Sequence, residues 1–189
     1  MKIIGIGREL PKQVYLMADS SVIRTNKPFF VPHFAHSFSG HAALAIHIDR
    51  LGKHIAPRYA HRYCGAIAPA IKVQAHDVEV AQQNEPFSAL AQSFDGALLL
   101  GDFTAIDDPS TINGTQVAIK RNGENIGGGS LDIAGIDYQN LIAKLSVFFT
   151  LKMGDMIVVE LSDSSFELNI GDTLTASCDN SQKLTIRVK

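Results

Sequence analysis

The sequence predicts a mostly-β protein with minor α content, and three features carry that reading. Short runs alternate between apolar and polar residues, most cleanly in KLTIRV (183–188) and LAIHI (44–48). That period of two puts one face of a strand into a core. Asn122-Gly123 stands between two such runs and supplies the positive φ angles of a tight hairpin turn. Two glycine–aspartate pairs, Gly154-Asp155 and Gly171-Asp172, each precede an apolar strand candidate.

In chain order, MKIIGIG (1–7) opens as a strand. KPFFVPHF (27–34) is extended, because each proline biases its predecessor away from helix. LAIHI is the next strand, and RYCGAIAPAIKV (62–73) reads as a strand broken at Pro69. Residues 78–94 are the most helical part of the first half, interrupted by Pro86. Residues 95–106, DGALLLGDFTAI, form a buried strand bounded by glycines, and 107–114 a loop. The hairpin follows at 116–130. Residues 136–149 fit a helix, with Ile136, Leu141, Leu145 and Phe148 near helical spacing and Asp137 in the first turn, where a carboxylate suits the dipole. Strands after the two glycine–aspartate turns and KLTIRV close the chain.

At 189 residues, the length suits one domain spanning 1–189. A net charge of −2 argues against a nucleic-acid footprint. No apolar run approaches the roughly 20 residues of a membrane span, and the opening lacks a signal peptide's long apolar stretch. The expected location is cytoplasmic. Cys64 and Cys178 match no metal-ligand spacing and read as two buried thiols, a disulfide between them being the alternative. GENIGGGS (123–130) lacks the lysine of a phosphate loop.

GHAALAIHIDR (40–50) raises a question of its own. Its large aliphatics fall on one face, while His41, Ala43, Ala45, His47 and Asp49 share the other. That second face is too small-chained for an ordinary core and too apolar for a solvated surface.

An ordered set of segments resembles the C-terminal domain of the fumarylacetoacetate hydrolase family. It comprises IGR (6–8), ALAIHIDR (43–50), AQSFDGALLLGDF (91–103), RNGE (121–124), TLKMGDMIVV (150–159), NIGDTLTAS (169–177) and KLTIRV, with a helix carrying Ser146 before Phe149-Thr150. The resemblance implies a mixed β-roll or sandwich, usually a homodimer, acting on small keto acids by hydrolysis, decarboxylation, isomerisation or hydration. It also implies a Mg²⁺ or Mn²⁺ ion held by three carboxylates, a hard cation that would stabilise enolate-like charge.

Against that pattern, His41 and Ala43 fall on the two glutamate positions and Ala68 on the aspartate. Gln92 replaces a lysine, Glu9-Leu10 an asparagine–tyrosine pair, and Val159–Ser162, with Glu160, the substrate loop. Alanine cannot ligate a metal, so no metal is expected at His41, Ala43 and Ala68. All seven histidines lie between His33 and His76, and imidazole suits Zn²⁺. His41 and His47, roughly 20 Å apart along a strand, cannot share one ion. Glu160 is a lone carboxylate in the old cavity or, more in keeping with its type, a solvated loop residue. The pocket candidates are Arg8, His41, Gln92 and Glu160, with Arg8 and Gln92 as substrate-binding residues. The expected function is a catalytically silent or repurposed fold, a small-molecule binder or a structural homodimer, or one pairing with a paralogous subunit. The alternative is a divergent keto-acid enzyme, metal-independent or with a histidine-borne metal.

Overall fold

A computed structural model describes residues 1–8, 13–76 and 90–189. Among them are β1 (Ile3–Ile6), β2 (Val14–Met17), β3 (Val22–Arg24), β4 (Ser37–Ile48), β5 (Cys64–His76), β6 (Leu98–Leu100) and β7 (Thr104–Ala105). Then come β8 (Val117–Arg121), β9 (Glu124–Gly129), α1 (Tyr138–Phe148), β10 (Met156–Glu160), β11 (Phe166–Glu167), β12 (Thr173–Cys178) and β13 (Ser181–Arg187). The larger sheet runs β2-β1-β10-β4-β5-β6-β3, with β11 on β4 and β7 on β5; the smaller runs β13-β12-β8-β9. This is the mostly-β architecture expected. Most of the proposed helix at 78–94 lies outside the described residues, and Leu90–Gln92 form a single 3₁₀ turn.

The turn chemistry sits where the sequence puts it. Asn122 (φ 53°) and Gly123 (φ 92°) join β8 to β9. Gly154 (φ 87°) precedes Asp155, whose carboxylate accepts from the Lys2 and Lys152 amides at 2.8 Å each. Asp137 is the cap of α1 rather than part of its first turn, accepting from the Asn140 amide at 3.0 Å.

Pro69 does not break the strand. β5 runs unbroken through it because its partner changes there: β7 pairs with Ala66 and Ile67, β6 with Ala70, Ile71 and Lys72. The Pro69 carbonyl still accepts from the Gly101 amide at 3.0 Å. A residue without a donor is tolerated where the neighbouring ladder is interrupted.

The main core fills the space between the sheets. Leu44, Ile46, Ile48, Ile71 and Leu99 face Ile119, Leu174, Leu184 and Ile186, with Ile142 and Leu145 of α1 closing one side. Cys64 and Cys178 are buried free thiols, not a disulfide. Burial pushes both thiols up to about 12, with Asp49 and Asp179 respectively adding to the effect. No helix among the described residues is long and apolar enough to cross a membrane.

The opposite face of the larger sheet carries a second, smaller core. Ala43, Ala45, Ala68 and Ala70 form its floor, all fully buried. Ile3 and Met17 pack over it from one side, Leu98 and Leu100 from the other. Only methyl groups fit because the sheet curls and its two flanks close over this face. That answers the puzzle of residues 40–50.

Candidate functional site

The alanine floor ends in polar residues. Register pairs Ala45 with Ala68, Ala43 with Ala70, and His41 with Lys72 across β4 and β5. On the other side of β4, Glu160 is paired with Ala43. His41, Lys72 and Glu160 are therefore neighbours on one face and are 4 %, 1 % and 6 % exposed. Glu160 is not a solvated loop residue: it is the last residue of β10, held inside by strand pairing.

Tyr15 completes the group from β2. Its hydroxyl donates to Glu160 Oε1 at 2.9 Å, and the Arg8 amide donates to Oε2 at 3.3 Å. The ring reaches this position by crossing β1 at Gly5, its paired residue. A Cβ at Gly5 would overlap that ring, so the glycine is what seats the tyrosine. Lys72 Nζ stands 5.3 Å from the ring centroid, within cation–π range. It donates to the Val73 carbonyl at 2.6 Å.

The electrostatics follow from burial. Desolvation lowers the Lys72 ammonium from 10.5 to about 8, against the pull of Glu160 toward the charged form. Burial, then the negative charge of Glu160 and the hydrogen bond to it, drive the Tyr15 hydroxyl far above its usual value. Tyr15 is thus a fixed hydrogen-bond donor, and Lys72 is an amine that changes charge near neutral pH.

A cavity of about 10 Å³, room for roughly one water, opens beside this group, lined by Gly7, Gln13, Gln74, Gln92 and Glu160. Gln92 thus reaches the site. Arg8 contributes its backbone amide, but its guanidinium is turned to the Ala134 carbonyl and to Asp163 Oδ1. His41 lies on the site face. His47 is edge-on to Phe103 at 5.4 Å, and His76 bonds Ser39 Oγ at 2.8 Å. Among the described residues no three His, Cys, Asp or Glu side chains converge on a metal position.

Ala43 and Ala68 are both on the floor, but Ala68 faces Ala45, one pair beyond Ala43. Ligands of one ion must converge, and the residue opposite His41 is Lys72. Among the described residues a divalent metal does not fit: they offer this face one carboxylate, methyl groups and an ammonium that would repel the ion. Sequence reading missed Lys72 and Tyr15. The signal for Lys72 was a charge on the alanine face of an otherwise apolar run, Ala66–Val73; Tyr15 left none.

Among the described residues, the curled mixed sheet, the alanine floor and the polar cluster at its end together define a β-roll with a candidate internal site. The chain belongs to the fumarylacetoacetate hydrolase family: the fumarylacetoacetate hydrolase C-terminal domain matches residues 6–189. It is 24% identical over 175 residues to a mitochondrial oxaloacetate tautomerase of Caenorhabditis elegans, covering 90% of this chain and 81% of the relative. It is also 24% identical over 188 residues to an oxaloacetate tautomerase of Escherichia coli strain K12, covering 97% and 85%. Among solved structures, the fumarylpyruvate hydrolase of Pseudomonas aeruginosa, in complex with Mn²⁺ and pyruvate, superposes with a TM-score of 0.85 at 15% identity, over 100% of this chain and 89% of that one. The 5-carboxymethyl-2-hydroxymuconate delta-isomerase of Mycobacterium smegmatis gives 0.83 at 19%, over 99% and 78%.

Proposed function

We propose that this domain acts on small 2-oxo acids by moving a proton at the carbon beside the keto group, without a divalent metal. The supporting observation is the cluster of buried Lys72 and Glu160 with half-buried Tyr15 at the end of the alanine floor. Keto–enol interconversion needs a base for the carbon-bound proton and positive charge for the developing enolate. Glu160 is the carboxylate placed to take that proton. The Lys72 ammonium supplies the counter-charge, and the Tyr15 hydroxyl holds Glu160 in position through its hydrogen bond. The curated relatives named above are tautomerases, which favours this enzymatic reading over the silent fold.

The small size of the cavity favours the second reading, a fold retained without chemistry. Enol–keto conversion of oxaloacetate, followed by ultraviolet absorbance with excess EDTA, separates the two. The expected result is chelator-insensitive catalysis that falls at least about 100-fold in Glu160→Gln, the scale of a general acid–base contribution. Catalysis that appears only with added Mg²⁺ or Mn²⁺ overturns the metal-independent reading, and none under either condition supports the silent fold.

A further inference from the structure

We infer that Lys72 is also a nucleophile, capturing the keto carbon of a 2-oxo acid as an imine. This rests on the reading of the site as a 2-oxo-acid site. Among the described residues, the geometry is that of an amine kept from water and from a tight ion pair. Lys72 is 1 % exposed in the middle of β5. No carboxylate among the described residues lies within 4 Å of its ammonium, and the hydrogen bond it makes goes to a neutral backbone carbonyl. On this face Lys72 pairs with His41 across the ladder, its nitrogen stands 5.3 Å from the centroid of the Tyr15 ring, and Glu160 is reached across Ala43. Such an amine sheds its proton near neutral pH and then carries a reactive lone pair.

The step balances without an oxidant or reductant. The Lys72 nitrogen lone pair forms a bond to the keto carbon, and the carbonyl π electrons move to oxygen, which takes a proton from solvent that the final imine hydrolysis returns. Glu160 accepts a proton from the nitrogen and returns it to the hydroxyl of the carbinolamine. That hydroxyl leaves as water while the carbon–nitrogen double bond forms. The protonated imine is a stronger electron sink than a ketone, so loss of the adjacent carbon-bound proton gives an enamine. Hydrolysis of the imine releases the 2-oxo acid and restores the amine. The inference requires a substrate to enter past the exposed Gln13 and half-buried Gln92 and to widen the small cavity beside Glu160 toward Lys72.

The test is reductive trapping. Purified protein is incubated with pyruvate and EDTA, treated with sodium borohydride, and examined by intact mass and peptide mapping. The expected product is one reduced pyruvate adduct per chain, on the peptide carrying Lys72 and absent from Lys72→Met. The trapping rate should rise about tenfold between pH 7 and pH 9 as the amine loses its proton, a response independent of whether that variant folds. No adduct, or adducts scattered over exposed lysines, overturns the inference. Chelator-insensitive tautomerase activity without an adduct refutes the imine alone and leaves proton transfer standing. An adduct at Lys72 without turnover supports the imine and refutes the catalytic reading.

Discussion

Replacing Lys72 by methionine isolates the cost of burying its charge. In the folded chain the ammonium is lowered from 10.5 to about 8. At about 1.4 kcal/mol per unit, that corresponds to about 3 kcal/mol of disfavoured charge. The sign is set by proton counting. Between about pH 8 and 10.5 the unfolded chain still holds the lysine proton and the folded chain has released it, so this group makes stability rise with pH. Its contribution is complete above 10.5 and lost as pH falls through 8. Cys64 and Cys178, raised from 9.0 to about 12, pull the opposite way above pH 9, because the unfolded chain loses their protons first. Tyr15 does the same at higher pH. Raw pH profiles therefore mix these effects, and the difference between wild type and Lys72→Met removes the shared ones. Urea unfolding of both proteins from about pH 7.5 to 10.5 should show that difference moving by about 3 kcal/mol in favour of wild type. A change below about 1 kcal/mol would mean that Lys72 keeps a normal affinity for its proton, and the argument for an activated amine would fail with it.

Two further outcomes follow from residues around the site. Gly5→Ala places a methyl group in the Tyr15 ring; it should cost about 1–3 kcal/mol by chemical denaturation, as overpacking does, and lower the proposed tautomerase activity by displacing the tyrosine from Glu160. Wild-type stability together with wild-type turnover would show that the ring has another resting place. At the far end of β10, burial works against ionisation of Asp155, but hydrogen bonds from Lys2 and Lys152 outweigh it and hold the carboxyl below its usual range. Its contribution is present at neutral pH and lost as pH falls toward the lowered value. Acid unfolding should show Asp155→Asn destabilised at neutral pH, with the gap to wild type narrowing below about pH 4; a constant gap would contradict the ionic origin.

The parts of the fold that were legible in the sequence are local ones. Asn122-Gly123, Gly154 and Gly171 each fix a turn through their own φ, whatever lies elsewhere in the chain. The alternation of residues 44–48 and 183–188 set which side chains go into the main core. Pro69 misled because its tolerance depends on where β6 and β7 divide their pairing, which is decided by residues about 30 positions later. Glu160 misled for a similar reason: its residue type suits a loop, and its strand position suits an interior. Lys72 and Tyr15 were illegible as a pair because neither sits near the other or near Glu160 in the chain, and only the curl of the sheet brings them together. The identity of Gly5 gains its meaning only once Tyr15 is known to lie across it.

The β1–β10 ladder is parallel, joining Ile3–Ile6 to Met156–Val159 across nearly the whole chain. Contacts of such separation carry a large closure entropy and tend to form late. Tyr15, Lys72 and Glu160 lie on opposite sides of that seam or beyond it, so no fragment or half-assembled intermediate holds all three. The lowered proton affinity of Lys72 depends on burial in the folded molecule, and an unfolded chain carries an ordinary, hydrated lysine.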